Sequence, residues 1–342
     1  MALLDPIESL DPPDRPDWRS ALSTAQFGPI AEDLLAVSLQ AVASGSGTIA
    51  RPIIDRGVDL YLRRLRSLLT IPIQVKAFQH VSPDGNGRFD LPVIEVPADP
   101  DAIMAIVHVP APHDQLYRRV FLIPVQLFRE RCPRGLVQDR DCFSFTGNFS
   151  GVVSDLWSDY LLDIERLPEW LASISGWGNP IPPVPHPPRP HSLVHGDSLT
   201  TWRGDIGRLW MATELERAGG GSIVIAEDRV RLDTLTFLLH DLSSRRMAGL
   251  HIRTGKVTSD RRIHFEVSRP PFFIDESLYV LLALLRPDDR PHDFCLLIPS
   301  DALPGLGYSS TVTLDPLTKR FEPYRVPSDE VGQVILNRVF GA

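Results

Sequence analysis

Lysine is scarce in this sequence. Of the 35 basic residues only three are lysines, Lys76, Lys256 and Lys319, so arginine supplies almost all of the positive charge. Arginine stays protonated, whereas lysine is a compact ammonium group whose pKa responds to its surroundings. Lys76 stands inside the apolar, strand-like run "IPIQVKAFQH" (71–80) and is therefore a candidate for chemistry, although three lysines must also fall somewhere by chance.

Cysteines and long apolar runs are scarce as well. Cys132, Cys142 and Cys295 are odd in number and have no close spacing, which argues against both a disulfide framework and a zinc cluster. No stretch approaches the ~18 apolar residues of a membrane-spanning helix. The acidic, proline-containing start "MALLDPIESL" lacks the basic and apolar regions of a signal peptide. We therefore expect a cytoplasmic protein with no membrane partner.

The overall composition is that of a globular protein with room for two cores. The chain has 342 residues, of which 43% are hydrophobic, and a formal net charge of −8. That charge argues against a surface that grips nucleic acid everywhere. A local basic groove is still compatible with it, and the candidates for nucleic-acid contact are Arg51, Arg56, Arg63, Arg64 and Arg66.

The chain contains an internal repeat. Segments of the first half recur in the same order about 175 positions later, which indicates a tandem duplication. The matched positions are Asp59 with Asp233, Phe89-Asp90 with Phe265-Glu266, Ile123-Pro124 with Ile298-Pro299, and Ser154-Asp155 with Ser328-Asp329.

The repeat predicts the domain organisation. We expect a flexible N-terminus (1–19), a first domain (20–175), a proline-rich linker (176–199) and a second domain (200–342). Each copy begins with an amphipathic helix, "PIAEDLLAVSLQAVA" or "IGRLWMATELERA", that a glycine cluster ends. Strand-like runs and a closing helix follow. The prediction is two tandem three-layer α/β domains, each a central mixed sheet flanked by helices.

Three residues of the first copy are predicted to meet at one edge of the sheet. Side chains alternate along a strand, so Gln74 and Lys76 project from the same face. The short connection after the strand of Asp59 makes the two strands neighbours. A carboxylate and an amide oxygen suit Mg²⁺, and Lys76 could orient a metal-bound water or stabilise phosphate charge. Glu32 on the first helix could supply a further metal ligand.

This set resembles the PD-(D/E)XK nuclease superfamily, in its Mrr-like and Holliday-junction-resolvase-like branch. The resemblance rests on "GVD" ending at Asp59, "QVK" ending at Lys76, and Phe27-Gly28 followed by Glu32. It implies a restriction-endonuclease-like fold and Mg²⁺- or Mn²⁺-dependent phosphodiester hydrolysis. It also implies an active site of Glu32, Asp59, Gln74 and Lys76, with the first three as metal ligands.

The second copy has lost this set. His251 and Arg253 stand where the first copy has Gln74 and Lys76, and the position of Glu32 falls on Ile206 or Arg208. Asp233, His251 and Arg253 form a degenerate second site in which only Asp233 is retained, and an arginine cannot act as a base at cellular pH. We expect a catalytically dead copy that forms an intrachain pseudo-dimer with the first.

Two hypotheses follow from the sequence. The leading one is a metal-dependent endonuclease that acts on nucleic acid, with DNA as the expected substrate, in restriction, defence or repair. The alternative is a non-catalytic scaffold or nucleic-acid-binding protein built from two nuclease-derived domains. In either case a protein partner could supply recognition.

Overall fold

We describe a computed structural model of the chain. The described residues are 24–43, 46–54, 57–78, 80–110, 115–152, 154–177, 198–228, 235–256, 263–266, 274–286, 290–303, 306, 311–314 and 318–341. The predicted N-terminal segment (1–19) and most of the predicted linker lie outside them. Helix α4 already begins at Ser198, which is inside the stretch predicted as linker. Among the described residues, no helix is both long and apolar enough to cross a membrane.

The first half, residues 24–177, begins with a helix and continues mainly with strands. Its elements are α1 (Thr24–Val42), β1 (Gly47–Pro52), β2 (Leu60–Arg64), β3 (Thr70–Phe78), β4 (Asn86–Pro92), β5 (Ile103–His108), β6 (Arg119–Pro124), α2 (Val125–Arg131), β7 (Arg134–Val137), β8 (Arg140–Asn148), β9 (Leu161–Asp163) and α3 (Leu167–Ser173).

The second half, residues 198–341, repeats much of this series. Its elements are α4 (Ser198–Gly219), β10 (Ile223–Asp228), β11 (Phe237–Asp241), β12 (Met247–Lys256), β13 (Ile263–Glu266), β14 (Leu278–Leu285), β15 (Phe294–Pro299), β16 (Thr311–Leu314), β17 (Arg325–Pro327) and α5 (Val331–Phe340).

The opening helices of the two halves form for the same reason. In α1 the buried positions recur every fourth residue, at Ala31, Leu35 and Leu39, which is the stripe of an amphipathic helix. Helix α4 ends at Gly219, and Gly220 follows with a φ of 53°. This left-handed conformation costs glycine little and is typical of a helix end. Both predicted helices, and the glycine stop of the second, are confirmed.

One twelve-stranded sheet runs through both halves. Its strand order is β17-β15-β14-β12-β11-β10-β1-β2-β3-β5-β6-β9, so the second half mirrors the first. In each half three antiparallel strands are followed by one parallel pairing, β3 with β5 and β12 with β14. The halves join where β1 pairs with β10 in antiparallel sense, with Arg51 opposite Glu227. We call this pairing the seam.

The larger helices lie on one face of this sheet, which we call the helix face. Arg51 bonds Asp33 of α1, and Glu227 bonds Arg208 of α4. Because directly paired residues of an antiparallel ladder project from the same face, α1 and α4 cover the same side. Helices α3 and α5 contribute to the same two cores as α1 and α4, respectively.

The opposite face of the sheet is covered mainly by strands and 3₁₀ turns. The expectation that helices flank the sheet on both faces is therefore wrong for this face, apart from one short helix. In the first half a three-stranded sheet, β4-β8-β7, and the short helix α2 pack there around Phe121, Phe145 and Trp157. In the second half the cover includes Leu303 and Phe321, from two 3₁₀ turns. The α/β class with a mixed sheet stands.

A shared core lies under the seam on the opposite face. It contains Ala50 and Tyr61 from the first half and Val224, Ala226 and Leu238 from the second. Each of these side chains is no more than 1% exposed. The two halves therefore stabilise each other through buried apolar contacts as well as through strand pairing.

Strand pairing also refines the alignment of the repeat. The match of Ile123 with Ile298 is confirmed, since both residues stand opposite equivalent positions of the preceding strand. The match of Ser154 with Ser328 is wrong. Strand β17 occupies the place of β9, with Val326 and Leu162 equivalent. The first half carries a longer segment, with α2, β7 and β8, between β6 and β9, and this segment shifts the register.

Candidate functional site

Asp59 lies immediately before β2 and ties this strand to β3. One oxygen of its carboxylate, Oδ2, accepts hydrogen bonds from Gln74 Nε2 at 2.7 Å and from the backbone N–H of Val75 at 2.6 Å. Its own N–H donates to the carbonyl of Ile73 at 2.9 Å. Gly57 allows the chain to enter this strand with a φ of 80°. The predicted proximity of Asp59 and Gln74 is confirmed.

Gln74 is buried beside this carboxylate. It is only 4% exposed, and its Oε1 has no hydrogen-bond partner among the described residues. A buried carbonyl oxygen without a hydrogen bond costs about 1–3 kcal/mol of stability. An additional partner for Gln74 Oε1 would therefore stabilise the site. Chemically this oxygen could accept a hydrogen bond or coordinate a cation.

Lys76 projects from the same face, two positions after Gln74. Its Nζ lies 3.0 Å from Glu95 Oε2, in a 3₁₀ turn that follows β4. The Lys76 side chain is 24% exposed and that of Glu95 is 49% exposed. The sequence analysis missed Glu95, because no local pattern connects a carboxylate in a turn to a lysine on another strand.

Glu32 lies on the other side of the sheet. Its Oε2 is 4.0 Å from Arg51 Nη1 on the helix face, while Gln74 and Lys76 project from the opposite face. The assignment follows from β3, where Ile73 and Val75 pack into the helix-face core and their neighbours must point away. The contact that the structure shows for Glu32 is with Arg51, and its role as a metal ligand beside Asp59 stays a prediction.

The predicted basic groove is not formed by the arginines that the structure describes. Arg63 is fully buried and donates to the carbonyls of Arg64 and Ser67. Arg64 is 6% exposed and donates to the carbonyl of Trp177.

Of the remaining three candidates, the structure describes Arg51 and Arg66. Arg51 is paired with carboxylates on the helix face, and its side chain is 17% exposed. Arg66 occupies the turn between β2 and β3 with a φ of 54°. Arg56 lies outside the described residues. Arg63 and Arg64 therefore satisfy backbone carbonyls within the fold, and Arg51 pairs with carboxylates.

The second half reproduces the position of Asp59 with another residue. Thr236 Oγ1 accepts a hydrogen bond from the N–H of Ile252 at 3.0 Å, and the Thr236 N–H donates to the carbonyl of Leu250 at 3.0 Å. These are the bonds that Asp59 makes to Val75 and Ile73. The equivalent of Asp59 is therefore Thr236, three positions from the predicted Asp233, which lies outside the described residues.

The other positions of the second half follow the prediction more closely. In the paired strands His251 and Arg253 occupy the places of Gln74 and Lys76. Arg253 Nε donates to His251 Nε2 at 3.0 Å. Of the two alternatives for Glu32, the buried stripe of α4 favours Arg208, whose Nη1 lies 2.9 Å from Glu227. The ion pairs at the seam are thus reversed in charge between the halves.

The site does not fit the predicted divalent metal well. The described residues contain no group of three or more histidine, cysteine or acidic side chains that could hold a metal ion. Of the predicted ligands, Asp59 and Gln74 are in direct contact, and the Asp59 Oδ2 already accepts two hydrogen bonds. Mg²⁺ favours near-octahedral oxygen coordination, which this pair supplies only in small part.

A concavity of about 530 Å³ opens on the second half between α4 and the start of α5. The residues that line it are Trp210, Glu214, Arg217, Pro291, His292, Asp293, Ser328 and Asp329.

The corresponding place in the first half is filled. Leu34, Leu116 and Ile164 occupy the positions of Trp210, Pro291 and Ser328 there, and they pack against the first core. The second half is therefore recessed and polar where the first half is apolar and packed.

Comparison of the chain with protein-family models and with curated proteins gives no match.

Proposed function

We propose that the protein is a non-catalytic scaffold that binds a protein partner. The observation that carries the proposal is the equivalence of Asp59 and Thr236, which satisfy the same backbone N–H in the two halves. The carboxylate of Asp59 and the hydroxyl of Thr236 share this hydrogen bond, which needs an acceptor oxygen and no negative charge. The common task of this position is to join two strands, so the candidate catalytic Asp59 has a structural role.

Under this proposal the chain retains a nuclease-like arrangement of helices and strands but has no catalytic activity. The two halves are tandem three-layer units, divided between about residues 175 and 200 as the repeat predicts. Glu32 pairs with Arg51 across the sheet from Gln74, and Lys76 pairs with Glu95. The pseudo-dimer then serves as a rigid platform for binding.

The partner of such a platform is expected to carry positive charge. The net charge of the chain is −8, and Arg63 and Arg64 are buried, which disfavours nucleic acid. Trp210 and the carboxylates of Asp293 and Asp329 line the concavity of the second half. Arg217 in the same lining pairs with Glu214, and Asp293 pairs with Arg286, so the proposal relies on Asp329. An aromatic ring beside carboxylates favours a guanidinium or ammonium group.

A charged probe tests this binding directly. We expect an N-acetylated, C-amidated triarginine peptide to bind the protein in isothermal titration calorimetry, and a triglutamate peptide not to bind. Asp329→Asn should weaken triarginine binding by up to about fivefold, which corresponds to the ~0.2–1 kcal/mol of an exposed ion pair. Asp301→Asn is the matched control, because Asp301 follows the end of β15 and does not line the concavity. This variant should bind triarginine as the native chain does. Equal affinity of both variants, or no triarginine binding at all, would contradict the proposed surface.

A second candidate, the metal-dependent nuclease, is favoured by one specific observation. Gln74 Oε1 is buried without a partner among the described residues, next to Asp59 and on the same face as Lys76. These three residues would then hold Mg²⁺ or Mn²⁺ and the phosphate, and a single active half would nick one DNA strand.

Plasmid cleavage separates the two functions. Supercoiled plasmid with Mg²⁺ or Mn²⁺ is expected to stay supercoiled with the native chain, as it does without protein. Conversion to open circles by the native chain, together with its loss in Lys76→Ala, would establish the nuclease and overturn the scaffold. The lysine variant suits this purpose because its exposed ion pair contributes little to stability.

A further inference from the structure

Three buried polar side chains connect the two halves beneath the seam. The hydroxyl of Tyr61 on β2 lies 3.1 Å from Nδ1 of His240 on β11. On its other side His240 Nε2 lies 3.4 Å from Oδ2 of Asp99, in the segment before β5. Tyr61, His240 and Asp99 are 0%, 1% and 4% exposed. Tyrosine and aspartate come from the first half and histidine from the second, so the set exists only when the halves are docked.

A neutral His240 suits this arrangement best, although its buried Nε2 makes no hydrogen bond among the described residues. With its proton on Nε2, a neutral His240 directs an N–H towards Asp99 and accepts the Tyr61 O–H at Nδ1. The other oxygen of Asp99 accepts the N–H of Asp101 at 2.9 Å. At 3.4 Å the contact to Asp99 is too long for a strong hydrogen bond, so it compensates a buried imidazolium only in part.

The surroundings of His240 are otherwise apolar. In the sheet it stands opposite Val224 on β10 and Met247 on β12. The ionisable groups that face or adjoin it among the described residues are Tyr61, Asp99 and its neighbour Asp241. The carboxylate of Asp241 accepts hydrogen bonds from Ser243 and Ser244, which leaves it directed into the following turn.

We propose that Tyr61, His240 and Asp99 form an acid-sensitive latch that holds the two halves together. Protonation of His240 places a second N–H against the Tyr61 hydroxyl and a positive charge in the shared core. The Tyr61 O–H then loses its acceptor, and the pairing of β1 with β10 loosens. The latch is independent of whether the platform binds a partner or cleaves nucleic acid.

The direction of the pH effect follows from burial. Burial lowers the pKa of His240, which the negative charges of Asp99 and Asp241 offset only in part. Burial, with the Asp99 charge, raises the pKa of Tyr61, so this hydroxyl stays protonated. The unfolded chain has a histidine pKa of about 6.5 and binds a proton before the folded chain does. The stabilisation is therefore present above about pH 6.5 and is lost as the pH falls from there towards the lower, folded-state pKa.

Hydrogen exchange at the seam provides the test. After correction for intrinsic exchange rates, amides of β1 and β10, and that of Ile53, which follows β1 and donates to Ile225 O, should exchange faster at pH 5.5 than at pH 7.5. A single linked proton limits the increase to about tenfold per pH unit. His240→Gln removes the titration and should abolish this dependence on pH. His292→Gln is the matched control, since burial also lowers the pKa of His292, which lies away from the seam.

Two outcomes would overturn the latch. One is an equal dependence of seam exchange on pH in the native chain and His240→Gln. The other uses the native chain alone and applies even if His240→Gln does not fold. If the imidazole resonances of His240 titrate at or above pH 6.5 in an NMR experiment, the folded state does not disfavour the charged ring.

Discussion

At the scale of single residues, the two halves do the same work with different side chains. Asp59 and Thr236 both accept a backbone N–H from the neighbouring strand. The charge of Asp59 is not needed for that purpose, and this is why its partner position could change to threonine. Because the sequence comparison matches residue types, it predicts Asp233 as the equivalent of Asp59. It misses Thr236, which makes the same backbone hydrogen bonds.

Removing either acceptor is expected to destabilise the fold, and the loss should be at least as large at Asp59, which also accepts a bond from Gln74. Asp59→Ala and Thr236→Val each leave a strand N–H without its partner, at a cost of about 1–3 kcal/mol. Asp59→Asn keeps an acceptor oxygen and should retain most of the stability. The free energy of unfolding, measured in urea, provides the comparison. The structural role of Asp59 would be rejected if Asp59→Ala unfolded at the same urea concentration as the native chain.

Lys76→Ala is the control for this pair. The ion pair of Lys76 with Glu95 is partly exposed, so its loss should change the free energy of unfolding by less than about 1 kcal/mol. The comparison thereby separates Asp59, which stabilises the fold, from Lys76, which contributes little to stability.

At the scale of elements, the sequence predicts periodic features well. The apolar stripes of α1 and α4 are local and follow the helical repeat, and both helices are present. The alternation in "QVK" placed Gln74 and Lys76 on one face correctly. These predictions succeed because each depends on the geometry of a single element or of one hairpin.

Features that depend on how elements pack could not be predicted in this way. Glu32 follows directly after a buried position of α1, yet it lies on the other face of the sheet from Gln74. The face of the sheet on which α1 packs determines this, and the sequence of the helix does not show it. Arg63 has the composition of a surface residue but points into the protein, where it donates to carbonyls. The concavity of the second half arises from three elements distant in sequence and has no local signal.

At the scale of the whole molecule, the seam makes one structure of the two halves. The β1–β10 pairing joins their strands, and the core beneath it draws side chains from both. The charges on the helix face alternate across it, from Glu32 to Arg51 to Glu227 to Arg208. Two identical copies would have placed like charges opposite each other, so the reversal favours pairing of unlike halves.

This shared core predicts that the halves unfold together. Leu238→Ala removes a side chain of β11 that is 1% exposed and should cost about 2–5 kcal/mol, as a cavity in a packed core does. Because the loss lies under the seam, hydrogen exchange should accelerate in β5 of the first half as well as in β14 of the second. Val37→Ala, at an exposed position of α1, should leave both strands protected. Acceleration confined to β14 would mean that each half is stable without the other, and that the seam is only a contact between two independent domains.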